Sequence, residues 1–267
     1  MIIIGERLNS SRKTVRIALE KRDEEFILKE AYEQVKAGAN FLDINVSALP
    51  DQEIELLRWI IPLIQSNLDI CLALDSPNPQ AFAEGLPLHR GRAFLNSLTL
   101  EKNRWNSIIP LIKKYNPLVI VLCLDETGLP GSPEKILKLA QKIKNDLEKE
   151  GIELADVFFD PLVRPLGVNF KAGAIFLQSL RLIKLNLPEI KTVAGISNVS
   201  FGLPRRSLLN RTLLTLAIEA GLDAAIIDPC DVEIMASLKA TLAISGQDNY
   251  LKGYLKFVRE SKLQNLP

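Results

Sequence analysis

Short runs of apolar and β-branched residues recur along the chain, each closing on a polar residue and followed by a stretch with helical spacing. They begin near residues 2 (IIIG), 40 (NFLDINV), 70 (ICLALD), 92 (RAFLNS), 118 (LVIVLCLD), 156 (DVFFDP), 191 (KTVAG) and 223 (DAAIIDP). Their mean interval is about 32 residues, the length of one strand, one helix and their loops. The pattern predicts eight successive βα units.

Three of the intervening helices are well marked. Ser132-Pro133-Glu134 supplies an N-cap, a proline at the first helical position and an early acid. Ile136, Ala140, Ile143 and Leu147 then recur at helical spacing until Gly151. A helix over 24–37 places Ile27, Ala31 and Val35 on one face and stops at Gly38. A helix over 207–220 carries Leu209, Leu213, Leu216, Ala217 and Ala220 and stops at Gly221.

Eight βα units fit either a closed (β/α)8 TIM barrel or a large doubly wound sheet. The sheet would place a glycine-rich phosphate loop after the first strand, but Glu6-Arg7-Leu8-Asn9 follows IIIG instead. A barrel predicts polar residues at the carboxyl ends of the strands, where the βα loops build a site. Acids and amides stand there throughout: Glu6, Asp43 and Asn45, Asp75, Asn96, Asp125, Asp160, Asn198 and Asp228. At 267 residues, with no linker and no shift of composition, a single α/β barrel domain over 1–267 is expected.

Charge and cysteine usage narrow the function classes. With 33 Lys+Arg against 32 Asp+Glu and no basic run, the chain has no electrostatic footprint for nucleic acid or an anionic membrane. It has no apolar stretch of the ~18 residues a membrane helix needs, and its start does not resemble a signal peptide, so a cytoplasmic location is expected. Cys71, Cys123 and Cys230 are scattered, which fits reduced thiols better than disulfides. The single histidine, His89, lies in a turn between a helix and a strand and is read as solvated. Neither residue type shows metal-ligand spacing, so no metal site is expected.

The ring therefore has no strand-end lysine for a Schiff base and no histidine for proton shuttling. Paired carboxylates suit glycosidase chemistry, but only 6% of the residues are aromatic and few stand at strand ends to receive a sugar. Carboxylates and carboxamides converging on one cavity suit a neutral planar heterocycle with adjacent N–H donors and a carbonyl, such as a pterin.

GERLN at 5–9, AGANFLDIN at 37–45, LDS at 74–76, LNS at 95–97, DETGLP at 125–130 and FDPL at 159–162 carry a resemblance. So, above all, does GISNVSFGLPRRSLLNRTLLTLAIEAGLDAAIIDPCD at 195–231. Over essentially its whole length the chain resembles the pterin-binding methyltransferases, in particular the methyltetrahydrofolate:corrinoid protein methyltransferases of anaerobic bacteria. It is also similar to the folate module of cobalamin-dependent methionine synthase. The resemblance implies a TIM barrel that binds methyltetrahydrofolate and exchanges its N5 methyl group with the cobalt of a corrinoid carried by another protein. On that basis Asp75, Asn96 and Asp160 hold the pterin, Asn198 faces N5, and Gly195 and Ser197 flank it. Glu6, Asp43 and Arg206 are weaker carry-overs. A homodimer is implied, as is a corrinoid protein docking on the carboxyl-end face.

The residues carry no Asp-x-His-x-x-Gly motif for a corrinoid of the chain's own, since Pro87 stands two places before His89. Phe201-Gly202-Leu203-Pro204 after SNVS departs from the acetogenic pattern and approaches methionine synthase, which leaves the partner and the direction of transfer open. Two alternatives remain. A dihydropteroate synthase would require a cationic diphosphate site, and the ends of the seventh and eighth strands, GISN and DP, lack one. A non-catalytic pterin-binding subunit would have no use for Asn198.

Overall fold

The eight apolar runs become eight parallel strands that close on themselves in chain order, β1 through β8, in the computed structural model, which describes residues 1–260. The strands are β1 (Ile2–Asn9), β2 (Phe41–Asn45), β3 (Cys71–Asp75), β4 (Phe94–Leu98), β5 (Leu118–Leu122), β6 (Val157–Asp160), β7 (Lys191–Gly195) and β8 (Ala224–Ile227). Around them run α1 (Lys13–Lys21), α2 (Glu24–Lys36), α3 (Glu53–Asn67), α4 (Pro79–Gly85) and α5 (Lys102–Tyr115). α6 (Pro133–Lys149), α7 (Ala172–Asn186), α8 (Arg206–Glu219), α9 (Val232–Ile244) and α10 (Lys252–Glu260) complete the outer layer. The expected (β/α)8 barrel is therefore the fold.

The three marked helices form within a residue or two of their expected bounds. Ser132 caps α6 by accepting from the Lys135 N–H, and Gly38 and Gly221 end α2 and α8 with φ of +102° and +101°. In that left-handed region a side chain is strained, so the helices stop where glycine stands.

Alternation along the strands explains both core and site. Ile4, Ala73, Phe94, Ile120, Phe158, Val193 and Ala224 point into the barrel and pack with Phe41. Phe94 stacks edge-on against Phe41 and Phe158, with ring centroids 4.7 and 5.1 Å away. This aromatic layer fills the barrel and floors what lies above it. Since strand side chains repeat at period two, the next inward residues are Glu6, Asp43, Asp75, Asn96, Leu122, Asp160, Gly195 and Ile226. Outward residues such as Leu42, Leu72, Leu95 and Val119 pack against the helices.

At the amino-terminal end His89 departs from the solvated turn read from the sequence. It is half-buried, and its Nε2 accepts the Leu72 N–H at 2.9 Å, which satisfies a donor at the start of β3. Burial holds its pKa below the ordinary value. Among the described residues no helix is long and apolar enough to cross a membrane.

Candidate functional site

Above the phenylalanine layer the barrel opens into a cavity of about 650 Å³. Its lining includes Glu6, Asp43, Asp75, Asn96, Asp160, Gly195, Ser197, Asn198 and Arg206, so all the site residues expected from the sequence come together.

The acids are largely withdrawn from the surface and have few partners among the described residues. Asp43 and Asp160 are 2% and 8% exposed, and neither they nor Asp75 or Glu6 form an ion pair among the described residues. The Asn96 Nδ2 donates to Asp43 Oδ1 at 3.2 Å, and the Asn45 Nδ2 donates to Asp75 Oδ2 at 2.7 Å. The Leu162 N–H donates to Asp160 Oδ1 at 2.7 Å. Burial disfavours the charged form. It raises Asp160 and Glu6 to about 7 and Asp75 to about 6, and with the neighbouring Asp75 it raises Asp43 well above the usual carboxylate range.

Asn198 is not part of the strand alternation. It rides on a short 3₁₀ turn, Ile196–Ser200, directly after β7, and its side chain is open to the cavity. A Cβ on Gly195 would lie 3.0 Å from the Asn198 Nδ2, so a side chain there would press on the carboxamide. The turn is anchored at both flanks. Ser197 Oγ donates to Glu6 Oε2 at 2.9 Å, while Arg206 donates to the Ser197 carbonyl at 2.9 Å and to Ser200 Oγ at 3.0 Å. Glu6 and Arg206 thus hold the loop that presents Asn198.

Asp125 is a correction to the strand-end ring. β5 ends at Leu122, and Asp125 lies further out, where its carboxylate accepts from Thr127 and stays below the usual carboxylate range. The inward position of β5 is Leu122, so the polar ring has an apolar gap. Arg104, which the sequence does not single out, donates through its guanidinium to the Ser97 and Ser76 carbonyls at 2.8 Å and ties the end of β4 to the loop after β3. Arg12 and Asn210 likewise line the cavity without having been expected there. No local motif marks any of these three; for Leu122, counting by two from Ile120 would have sufficed.

Known proteins resemble the chain in sequence and in fold. Residues 5–228 match the family described as pterin binding enzyme. The chain is 33% identical over 98% of its length, and 98% of the relative's, to the methylcorrinoid:tetrahydrofolate methyltransferase of Eubacterium limosum. It is 27% identical over 85% of its length to the methionine synthase of Mycobacterium tuberculosis, of which it spans only 20%. Among solved structures, the dihydropteroate synthase of Coxiella burnetii covers 92% of the chain, with 93% of its own length matched, at a TM-score of 0.68 and 16% identity. That of Xanthomonas albilineans covers 92%, again with 92% of its own length matched, at 0.67 and 18%. At such identities these two structures testify to the shared barrel alone. The relatives by sequence go further, and the chain belongs to the pterin-binding enzymes, among the methyltransferases that link folate and corrinoid.

Proposed function

We propose that the protein transfers a methyl group between N5 of methyltetrahydrofolate and the cobalt of a corrinoid carried by a separate protein. The observation that carries the proposal is the ring of desolvated acids and amides beneath an exposed Asn198. Asp43, Asp75 and Asp160 form no ion pair among the described residues, so they are completed by a neutral ligand that brings N–H donors in one plane. A pterin's amino and ring N–H edge supplies such donors, and the Asn96 carboxamide can serve its carbonyl. The name of the Eubacterium limosum relative fits this pair of substrates.

The chemical difficulty is the leaving nitrogen. A tertiary amine releases a methyl group only if positive charge or a proton reaches it as the carbon–nitrogen bond breaks. The Asn198 carboxamide does not titrate and so is no general acid. It holds a hydrogen bond to N5 that strengthens as charge develops there, while the proton comes from solvent. This selectively stabilises the transition state. The Glu6 and Arg206 contacts that fix the 196–200 turn keep the donor in place.

The corrinoid protein docks over the carboxyl-end face, which brings cobalt in line with N5. Phe201, Val168 and Phe170, at 69%, 76% and 82% exposed, stand on the loops after β7 and β6 and present apolar surface there. A homodimer belongs to the same reading.

The test is methyl transfer from methyltetrahydrofolate to free Co(I) cobalamin, followed by cobalt absorption. Turnover is expected, and faster turnover with the cognate corrinoid protein. Absence of transfer together with condensation of a pterin diphosphate with an aromatic amine would replace this function with that of a dihydropteroate synthase.

A further inference from the structure

Asp75 and Asn96 stand opposite one another on β3 and β4, and the residue after each turns its backbone carbonyl to the same side chain. Arg104 Nε donates to the Ser97 carbonyl and Nη2 to the Ser76 carbonyl, each at 2.8 Å, while Nη1 donates to the Pro77 carbonyl. One guanidinium therefore grips the chain directly beyond two cavity residues.

The gripped residues are fixed from several sides. β4 shifts register against β5 between Asn96 and Leu98, which makes Ser97 the extra residue of a bulge, and both Ser97 and Ser76 are buried. Buried carbonyls need donors, and the planar fork of an arginine serves more than one of them at once. Ser76 is also held from α3, since its Oγ donates to Glu53 Oε1 at 2.7 Å, and its N–H donates to the Asn96 carbonyl at 3.0 Å.

The placement of the cation is otherwise unfavourable. Arg104 is the third residue of α5, a helix with no acid in its first turn, so the charge sits at the positive end of the helix. What holds it there is the three carbonyls and the buried Phe82 ring of α4, whose centroid lies 5.8 Å from Cζ.

We infer that Arg104 is a positioning residue for substrate binding, which sets the spacing of Asp75 and Asn96 so that one edge of a flat ligand meets both. The inference rests on the proposed function, under which that ligand is the pterin ring of methyltetrahydrofolate. Asn198 stands on the turn after β7, across the barrel from β3 and β4. Arg104 therefore governs affinity and not the methyl-transfer step.

The experiment compares wild type, Arg104→Lys and Arg104→Met in the full chain, by calorimetric binding of methyltetrahydrofolate and by transfer to free Co(I) cobalamin. Lysine keeps the charge, but a single ammonium does not reproduce the fork. Kd and KM for methyltetrahydrofolate should rise about tenfold in Arg104→Lys and further in Arg104→Met, as losing the partners that orient ligating groups does elsewhere. The rate at saturation, kcat, should stay within about twofold of wild type. A double-mutant cycle adds a readout that general loosening would not move. Beside Asn96→Ala the further loss from Arg104→Lys should shrink to about threefold or less, whereas beside Asp160→Asn, on β6, it should remain about tenfold. An unchanged Kd in Arg104→Lys, a fall in kcat at constant KM, or an undiminished loss beside Asn96→Ala overturns the role. If Arg104→Met does not fold, Arg104→Lys alone decides. Failure of the wild type to bind methyltetrahydrofolate is a separate result and overturns the proposed function itself, together with the ligand assigned here.

Discussion

The two ends of the barrel treat polar side chains in opposite ways. At the amino-terminal end the partners are present within the chain. Arg92 pairs with Asp156 at 2.8 Å and donates to the Asn116 carbonyl, and Lys184 pairs with Asp223, which also accepts the Thr192 N–H. Arg92 accordingly holds Asp156 below the usual carboxylate range. At the carboxyl-terminal end Asp43 and Asp160 are buried with no ion pair among the described residues, and their pKa values are pushed up. One end spends its polar groups on holding the fold. The other leaves part of its set, Asp43 and Asp160 above all, without an ion pair among the described residues, at some cost in stability, as sites that await a ligand do.

That contrast breaks most sharply at Asn198. Asn198→Ala should lower the methyl-transfer rate by on the order of 10² to 10³, as loss of one preorganised donor does, with little change in melting temperature. Stopped-flow transfer to Co(I) at near wild-type rate would remove the role assigned to it.

Asp160→Asn should separate binding from stability. Folate Kd should rise about 10- to 100-fold, the loss of a charge-assisted contact. The free protein should gain stability on the order of 3 kcal/mol at pH 8 and nothing near pH 3.5. The sign follows from the raised pKa of about 7: the carboxyl's burial costs nothing below its unfolded value and progressively more as pH rises toward 7. In the wild type, folate binding selects the ionised acids, so affinity should tighten between pH 5.5 and 7.5 while the free protein loses stability. Parallel calorimetric titrations and thermal melts across that range decide it.

At the opposite end Lys184→Met should cost about 1–3 kcal/mol of stability, since Asp223 loses its cation and the Ile190 carbonyl its donor. Kinetic constants should not move; if they did, the division between the two ends would fail. The smallest effect belongs to His89. Its lowered pKa means that wild-type stability falls as pH drops through about 6.5. His89→Gln should flatten that slope, with a change below about 1 kcal/mol at pH 8. Urea melts at pH 5.5 and 8 would show whether it does.

The fold was legible in the sequence because each strand and helix announces itself locally. The apolar runs recur at one βα length, and Gly38 and Gly221 mark helix ends that need positive φ. The acids were legible because strand ends are fixed points in such a repeat. The ring's membership was less so, since Asp125 stands near the end of its run but three residues past the last strand residue, Leu122. Arg104 and Asn210 were out of reach for another reason. Arg104 reaches from α5 to the Ser76 carbonyl, 28 residues earlier, and Asn210 lines the cavity from α8; nothing near either residue in the sequence signals that placement. His89 was misjudged likewise, because its partner, the Leu72 N–H, is supplied by a strand 17 residues earlier.

The apolar gap at Leu122 has a consequence for how a flat ligand is oriented. A ring of acids and amides continuous around the barrel would accept a bicyclic heterocycle in several in-plane rotations of similar energy, and only some would present the reactive nitrogen to Asn198. With Leu122, Gly195 and Ile226 interrupting the layer, a polar edge turned toward β5 or β8 would lose its water and gain no partner. Under the proposed function the site would thereby reject wrong rotations through the places where it offers nothing, and a single leucine would help to decide which edge of the ligand lies under Asn198.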